Sequence, residues 1–102
     1  MIILSLPITG RNIEKVKEYA KKIKAKWVEK GYDVVTPFEI NPIVMNYEKC
    51  MGRCVTELLM CDGIILCHDW FSSKGCRAEC HVAQVYGKTI KTDNMIYEED
   101  KI

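Results

Sequence analysis

An uninterrupted apolar run, Gly63-Ile64-Ile65-Leu66-Cys67, constrains the fold of this chain more than any other feature. A strand with one face in water alternates apolar and polar residues, but this run has no polar position. It therefore predicts a central strand that helices cover on both faces. Strands buried in this way occur almost only in parallel sheets with helical crossovers, so the run favours an α/β fold.

Strand and helix patterns alternate along the rest of the chain. Apolar residues at three-and-four spacing predict a first helix that begins after the N-cap Asn12 and stops at Gly31. Right-handed crossovers between such elements give one domain over residues 1–102, with a doubly wound, mainly parallel sheet of four to five strands flanked by helices. The expected strands cover residues 2–6, 32–37, 63–67 and about 88–91; the expected helices cover residues 12–31, about 45–61 and about 75–87, and a loop covers residues 37–42.

The composition excludes several classes of function. A formal net charge of +1 gives neither the basic excess of a nucleic-acid-binding protein nor a cationic surface that seeks membranes. The apolar N-terminal segment has no basic lead and no cleavage site of a signal peptide. No window approaches the ~18 apolar residues that a membrane span needs. We therefore expect a cytoplasmic protein whose partner is a small molecule, with no nucleic acid and no membrane.

The six cysteines favour a reduced protein over a disulfide scaffold, because strand and helix patterns fill the chain. None of their spacings is the two-residue spacing of common zinc knuckles. We expect buried thiols that act as small apolar residues, with no metal and no cofactor. A cysteine-ligated zinc module is the alternative. The spacings are Cys50-x3-Cys54, Cys61-x5-Cys67 and Cys76-x3-Cys80, with His68 and His81 nearby.

The loops that follow the first strand and the central strand carry binding chemistry. In a doubly wound sheet these loops meet at the edge where ligands bind. The first loop offers the Thr9 hydroxyl, the Gly10 backbone and Arg11 at a helix start. The second offers Ser72 and Ser73 at another helix start, where free amides and the helix dipole favour an anion. A phosphate could lie between the loops, although plain helix capping explains these serines equally well.

Glu79 falls on the side of the third helix that should pack on the sheet, in line with Val82 and Ala83. A carboxylate in such a position needs a partner or a function. Two interpretations stay open. Glu79 is either a buried glutamate paired with Arg53, Arg77 or a helix amide, or it is a functional carboxylate.

Spaced motifs run through most of the chain. They are Cys61-Asp62-Gly63-Ile64-Ile65-Leu66, then Trp70-x2-Ser73-x-Gly75-x3-Glu79-x3-Ala83-x3-Gly87, and, nearer the N-terminus, Pro7-x-Thr9-Gly10-x-Asn12 and Gly31-Tyr32-x-Val34-Val35-x-Pro37. Together they resemble the signature of DUF4406, a family of small proteins often encoded by phages or prophages. That family sits in the nucleoside 2-deoxyribosyltransferase-like superfamily. The resemblance implies the flavodoxin- or Rossmann-like fold of that superfamily.

The resemblance also implies an activity. In superfamily enzymes, the glutamate at the Glu79 position is the nucleophile at the anomeric carbon of the sugar. Six residues earlier, nucleoside transferases have an aspartate, whereas relatives that hydrolyse deoxynucleoside 5′-monophosphates have a phosphate-binding serine, here Ser73. The resemblance thus favours an N-glycosidase or 2-deoxyribosyltransferase-like enzyme that acts on a nucleotide and, like its relatives, forms a homo-oligomer. The implied substrate-binding residues are Thr9, Gly10, Arg11, Asn12, Trp70, Ser72, Ser73 and Gly75.

Two positions depart from the superfamily pattern. The aspartate of the second helix in relatives falls at Cys54, and a neutral thiol is a poor general acid for a departing base. Leu6 stands where relatives commonly have glycine, which would crowd the approach to a sugar or phosphate. Asp69 or Glu57 could supply the proton instead. The candidate catalytic residues are therefore Glu79, Cys54 and Asp69, and a non-catalytic binder of a nucleotide or nucleotide-derived signal is the alternative function.

Overall fold

Four parallel strands form the centre of the computed structural model, which describes residues 1–42 and 46–97. The strands are β1 (Ile2–Ser5), β2 (Val34–Val35), β3 (Gly63–Leu66) and β4 (Thr89–Thr92). Their order across the sheet is β2-β1-β3-β4, and every pair of neighbours is parallel. The apolar run that begins at Gly63 is thus a central strand, as predicted.

Helices make the connections between the strands. They are α1 (Ile13–Glu29), α2 (Pro37–Ile40), α3 (Tyr47–Met60) and α4 (Lys74–Val85), with a 3₁₀ turn over Trp70–Ser72 before α4. The amide of Lys15 donates to the Asn12 side chain, so Asn12 caps α1 as predicted, and Gly31 follows the helix with a φ of 99°. The expected start of the second long helix, near Met45, lies outside the described residues. Across residues 1–42 and 46–97, no helix is long and apolar enough to cross a membrane.

Two apolar layers enclose the sheet. Ile2 and Leu4 of β1 pack with α1 on one face. Ile3 and Ile64 point to the other face, where they pack with residues of α3 and α4. This alternation follows from the two-residue side-chain period of a strand. Since helices cover both faces of an all-parallel sheet, the expected α/β architecture is confirmed.

The stretch after β2 differs from the expectation of a plain loop, because α2 forms one short helical turn there. Thr36 and Glu39 make a capping box, in which each side chain accepts a hydrogen bond from the backbone amide of the other. Pro37 occupies the first turn, where its missing amide hydrogen costs nothing. The turn limits β2 to two residues, and α2 packs against α3.

The topology also fixes where a ligand site belongs. β1 connects through α1 to β2 at one edge, whereas β3 connects through α4 to β4 at the other edge. The carboxyl ends of β1 and β3 therefore lie at the point where the strand order reverses. In open α/β sheets, ligands bind in the crevice beside this point.

Candidate functional site

A cavity of about 320 Å³ opens at this topological switch point. The segment after β1 forms one wall, α2 and the start of α3 form the second, and the start of α4 forms the third. The volume lies at the lower end of the range for small-molecule sites. Most of the lining is apolar, and Glu79 supplies its carboxylate. The lining residues are Leu6, Ile8, Thr9, Ile13, Lys17, Pro37, Phe38, Asn41, Pro42, Tyr47, Cys50, Met51, Cys54, Ser73, Gly75, Cys76 and Glu79.

Glu79 lies on the inner face of α4 with 7% of its surface exposed. The Ser5 hydroxyl of β1 donates a hydrogen bond of 2.6 Å to its Oε1 atom. Burial raises the pKa of Glu79 to about 7, and the Ser5 hydrogen bond acts in the opposite direction. The partner is thus a neutral hydroxyl and not Arg53, Arg77 or a helix amide. A carboxyl group in this state can exchange a proton near neutral pH.

Cys54 of α3 lines the same cavity and is 6% exposed. The Asn41 amide nitrogen contacts it, with 3.5 Å to the Cys54 sulfur and 3.4 Å to the Cys50 carbonyl oxygen. Burial, followed by the charge of Glu79, raises the pKa of the Cys54 thiol to about 12. The thiol is therefore neutral at pH 7 and has little tendency to release its proton.

The start of α4 forms the polar corner of the cavity. Ser73 is the N-cap, and its Oγ accepts a hydrogen bond of 3.3 Å from the Cys76 amide. A Cβ atom on Gly75 would lie 3.3 Å from the Tyr47 hydroxyl oxygen, so glycine keeps this corner open. Thr9 adds a second hydroxyl from the segment after β1.

Arg11 and Asp69 lie elsewhere, because they form an ion pair with each other. Both side chains are mostly buried, with 14% and 16% of their surfaces exposed. The Arg11 guanidinium also stacks over the Tyr97 ring, 4.2 Å from its centroid. Neither residue lines the Glu79 cavity. The pair joins the two loops that the sequence assigned to ligand binding.

The remaining candidate residues also have local roles. Asn12 caps α1, and the Ser72 hydroxyl donates to the Asp69 carbonyl oxygen. Gly10 has a φ of 81°, the left-handed conformation that glycine adopts without strain. Trp70 packs against the layer of α3 and α4 and lines a second depression near β4. Glu57 borders a third depression beside α2 and α3. Of the sequence candidates, the cavity thus brings together Thr9, Cys54, Ser73, Gly75 and Glu79.

Four polar residues in or beside the cavity were not singled out as site residues by the sequence. Ser5 holds Glu79, Asn41 contacts Cys54, and Lys17 and Tyr47 line the walls. Ser5 carried a detectable signal, since it is the polar position within the apolar segment 2–6. The other three have no such signal, because their role depends on helices that only the tertiary fold brings together.

The cysteines occur as free thiols, and five of the six are buried. Within the two described ranges, no three side chains of His, Cys, Asp or Glu are grouped to hold a metal ion. The zinc module therefore has no ligand set in this part of the chain.

Comparison with known proteins gives a family. No curated protein and no solved structure matches the chain. The family model described as "Domain of unknown function (DUF4406)" matches residues 1–92, which include all strands and helices of the described residues and the lining of the Glu79 cavity. The chain therefore belongs to the DUF4406 family.

Proposed function

We propose that this protein is an enzyme of the nucleoside 2-deoxyribosyltransferase-like type that cleaves the N-glycosidic bond of a (deoxy)nucleoside 5′-monophosphate. The observation that carries the proposal is the Glu79 carboxyl group, buried in a cavity at the switch point without a cationic partner among the described residues. Buried carboxyl groups with perturbed pKa values cluster at functional sites.

The proposed reaction has two steps, and Glu79 is the nucleophile of the first. The Glu79 carboxylate attacks C1′, the bond between C1′ and the base nitrogen breaks, and the base leaves with its electron pair and takes up a proton from solvent water. Water then hydrolyses the glycosyl ester, releasing the sugar phosphate and restoring the carboxylate. An anion in this position also stabilises the oxocarbenium-like transition state. Because the pKa of Glu79 is about 7, the reactive ionised form grows as the pH rises through neutrality.

The polar corner supports a phosphate on the substrate. The Ser73 and Thr9 hydroxyls can donate to phosphate oxygens, and the first amides of α4 add the favourable end of a helix dipole. Lys17 of α1 places a cation in the lining of the same cavity, with 41% of its side chain exposed. The apolar walls around Phe38 and Met51 suit the flat face of a base.

A non-catalytic nucleotide binder is the second candidate function. The observation that favours it is the neutral Cys54 thiol, which is a poor proton donor to a departing base. Binding of an intact ligand with equal affinity to the wild type and to Glu79→Gln would support the binder. Calorimetry with recovery and chromatography of the ligand measures both quantities.

The test of the enzyme is release of free base from a panel of deoxynucleoside and nucleoside 5′-monophosphates. Glu79→Gln keeps the shape and the hydrogen bond from Ser5 but removes the nucleophile, so we expect base release to fall by at least ~10³-fold. Glu57→Gln is the matched control, since Glu57 lies outside the cavity. Equal base release by wild type and Glu79→Gln would exclude the proposed reaction.

A further inference from the structure

Ser5 is the buried polar side chain of β1, and only 1% of its surface is exposed. A hydroxyl group in such a place is costly unless it makes hydrogen bonds. Its partner is Glu79, 74 residues further along the chain, across the interface between the sheet and α4. The contact is therefore a product of the tertiary fold and not of local helix or turn geometry.

The Cys76 thiol is a second polar group beside the Ser5 hydroxyl. The hydroxyls of Ser5 and Ser73 act against the effect of burial on the pKa of this thiol, because they donate toward its sulfur. Burial raises the pKa of Cys76 to about 11, so the thiol keeps its proton at pH 7. The Ser5 hydroxyl donates to Oε1 of Glu79 over 2.6 Å, and a neutral thiol is a weaker acceptor than a carboxyl oxygen. The Ser5 proton is therefore directed at Glu79.

We propose that Ser5 is a positioning residue for Glu79, which fixes Oε1 against the sheet so that Oε2 is the oxygen presented to the cavity. The inference rests on the proposed function, in which this carboxylate is the reacting group. A carboxylate held by one oxygen keeps a single orientation, and its second oxygen keeps its full capacity to attack. Without the Ser5 hydroxyl, the Glu79 side chain gains rotamer freedom and loses its described hydrogen bond.

The surroundings make Ser5 the group that favours the ionised form of Glu79. Burial raises the pKa of Glu79, and the Ser5 hydrogen bond lowers it. The other titratable groups that share the cavity come from three helices. The buried thiols among them, Cys54 and Cys76, are neutral at pH 7. These titratable neighbours are Lys17 of α1, Tyr47, Cys50 and Cys54 of α3, and Cys76 of α4.

The experiment is a direct titration of the Glu79 carboxyl group by NMR of side-chain-labelled glutamate, assigned with Glu79→Gln. In Ser5→Ala the titration midpoint should rise by about one pH unit, because a carboxylate loses its hydrogen-bond donor in a buried site. Thr56→Ala removes an exposed hydroxyl of α3, bonded to the Gly52 carbonyl oxygen, and should leave the midpoint unchanged. An unchanged midpoint in folded Ser5→Ala overturns the inference.

Ser5→Cys keeps the test decisive if Ser5→Ala does not fold. Its thiol is a weaker donor of similar size, so the midpoint should rise by a smaller amount, and no rise overturns the inference. In base-release assays at pH 6, Ser5→Ala should lower kcat about tenfold and leave KM within about twofold, since the ionised fraction falls. Absence of base release by the wild type would count against the proposed function alone, because the NMR titration decides the role of Ser5 without turnover.

Discussion

Two buried carboxylates lie on opposite faces of the sheet, and their surroundings differ in kind. Asp93 follows β4 beside α1 and is 4% exposed, while Glu79 on α4 is 7% exposed. Oδ2 of Asp93 accepts hydrogen bonds of 2.7 Å from Lys26 and from the Trp27 indole, and Oδ1 accepts from the Met95 amide. Among the residues that the structure describes, the donor to Glu79 is a neutral group, the Ser5 hydroxyl.

The difference appears in the acidity of the two groups. Burial alone would raise the pKa of Asp93, but the hydrogen bonds from Lys26, Met95 and Trp27 hold it below its usual value. The pKa of Glu79 rises to about 7, because burial outweighs its single hydrogen bond. A buried carboxylate with a cation and several hydrogen-bond donors is typical of a structural group. A carboxylate in a cavity with a neutral partner is typical of a functional site, because it can exchange a proton near neutral pH. The comparison teaches that burial alone does not mark a site.

The largest expected effect comes from giving Glu79 a second carboxyl group as a neighbour. In Cys54→Asp the two carboxyl groups share one cavity and cannot both ionise easily, so one keeps a proton near pH 7. That proton can be given to the departing base, and a well-placed acid contributes ~10² to 10⁴ in rate. We expect kcat for base release to rise accordingly.

The control is the double variant Cys54→Asp, Glu79→Gln, in which the gain should vanish because an acid cannot replace the nucleophile. Cys61→Asp is not a suitable control, since Cys61 is packed in the core at the end of α3. Cys50→Asp is better matched, because Cys50 lines the cavity one turn away and is only partly buried. An equal gain in Cys50→Asp would show that added charge, and not a placed acid, is responsible.

The sequence correctly predicted the structural features that depend on residue spacing within one helix or strand. The central strand from Gly63, the cap at Asn12 and the inward direction of Glu79 each follow from spacing within one element. The short helix α2 was missed, although Thr36, Pro37 and Glu39 form a capping box that could have indicated it.

Partners across the fold could not be read from spacing. Arg11 was assigned to ligand binding and Asp69 to proton donation, but the structure pairs them with each other across 58 residues of sequence. The sequence did not identify Asp93 as a buried carboxylate, because its hydrogen-bond partner Trp27 is 66 residues away. The same reason hid the contact of Ser5 with Glu79. Periodicity gives the direction of a side chain, and only the packing of separate elements gives its neighbour.

The second expected effect is a loss of stability as the pH rises. The folded-state pKa of Glu79 is about 7, above the usual glutamate value of 4.5, so the folded protein binds more protons between these pH values. The free energy of unfolding should therefore fall by about 3 kcal/mol between pH 4.5 and pH 8 from this group alone. Glu79→Gln carries no titratable group and should lack this component. Urea unfolding at pH 5 and pH 8 measures the difference.

Glu29→Gln is the matched control, because Glu29 is an exposed glutamate at the end of α1. It should keep the wild-type dependence on pH. If Glu79→Gln loses as much stability as the wild type between pH 5 and pH 8, the carboxyl of Glu79 is ionised in the folded protein from low pH onward. The contrast with Asp93 would then disappear.

The smallest expected effect tests the other half of the comparison. Asp93→Asn keeps one oxygen, which can accept from either the Trp27 indole or the Met95 amide, and it removes the charge opposite Lys26. Because Lys26 keeps about a third of its side chain in solvent, the loss should be about 2 kcal/mol at pH 7, less than for a fully buried pair. The pKa of Asp93 is lowered by folding, so its contribution is present above the unfolded pKa and is lost as the pH falls through the folded one. The stability difference between wild type and Asp93→Asn should therefore shrink toward pH 2, opposite in sign to the Glu79 effect.

Lys26→Met should destabilise by a similar amount, and the double variant should lose less than the sum of the two, as expected for a coupled pair. Base release should stay at the wild-type level in all three variants, since Asp93 and Lys26 lie outside the Glu79 cavity.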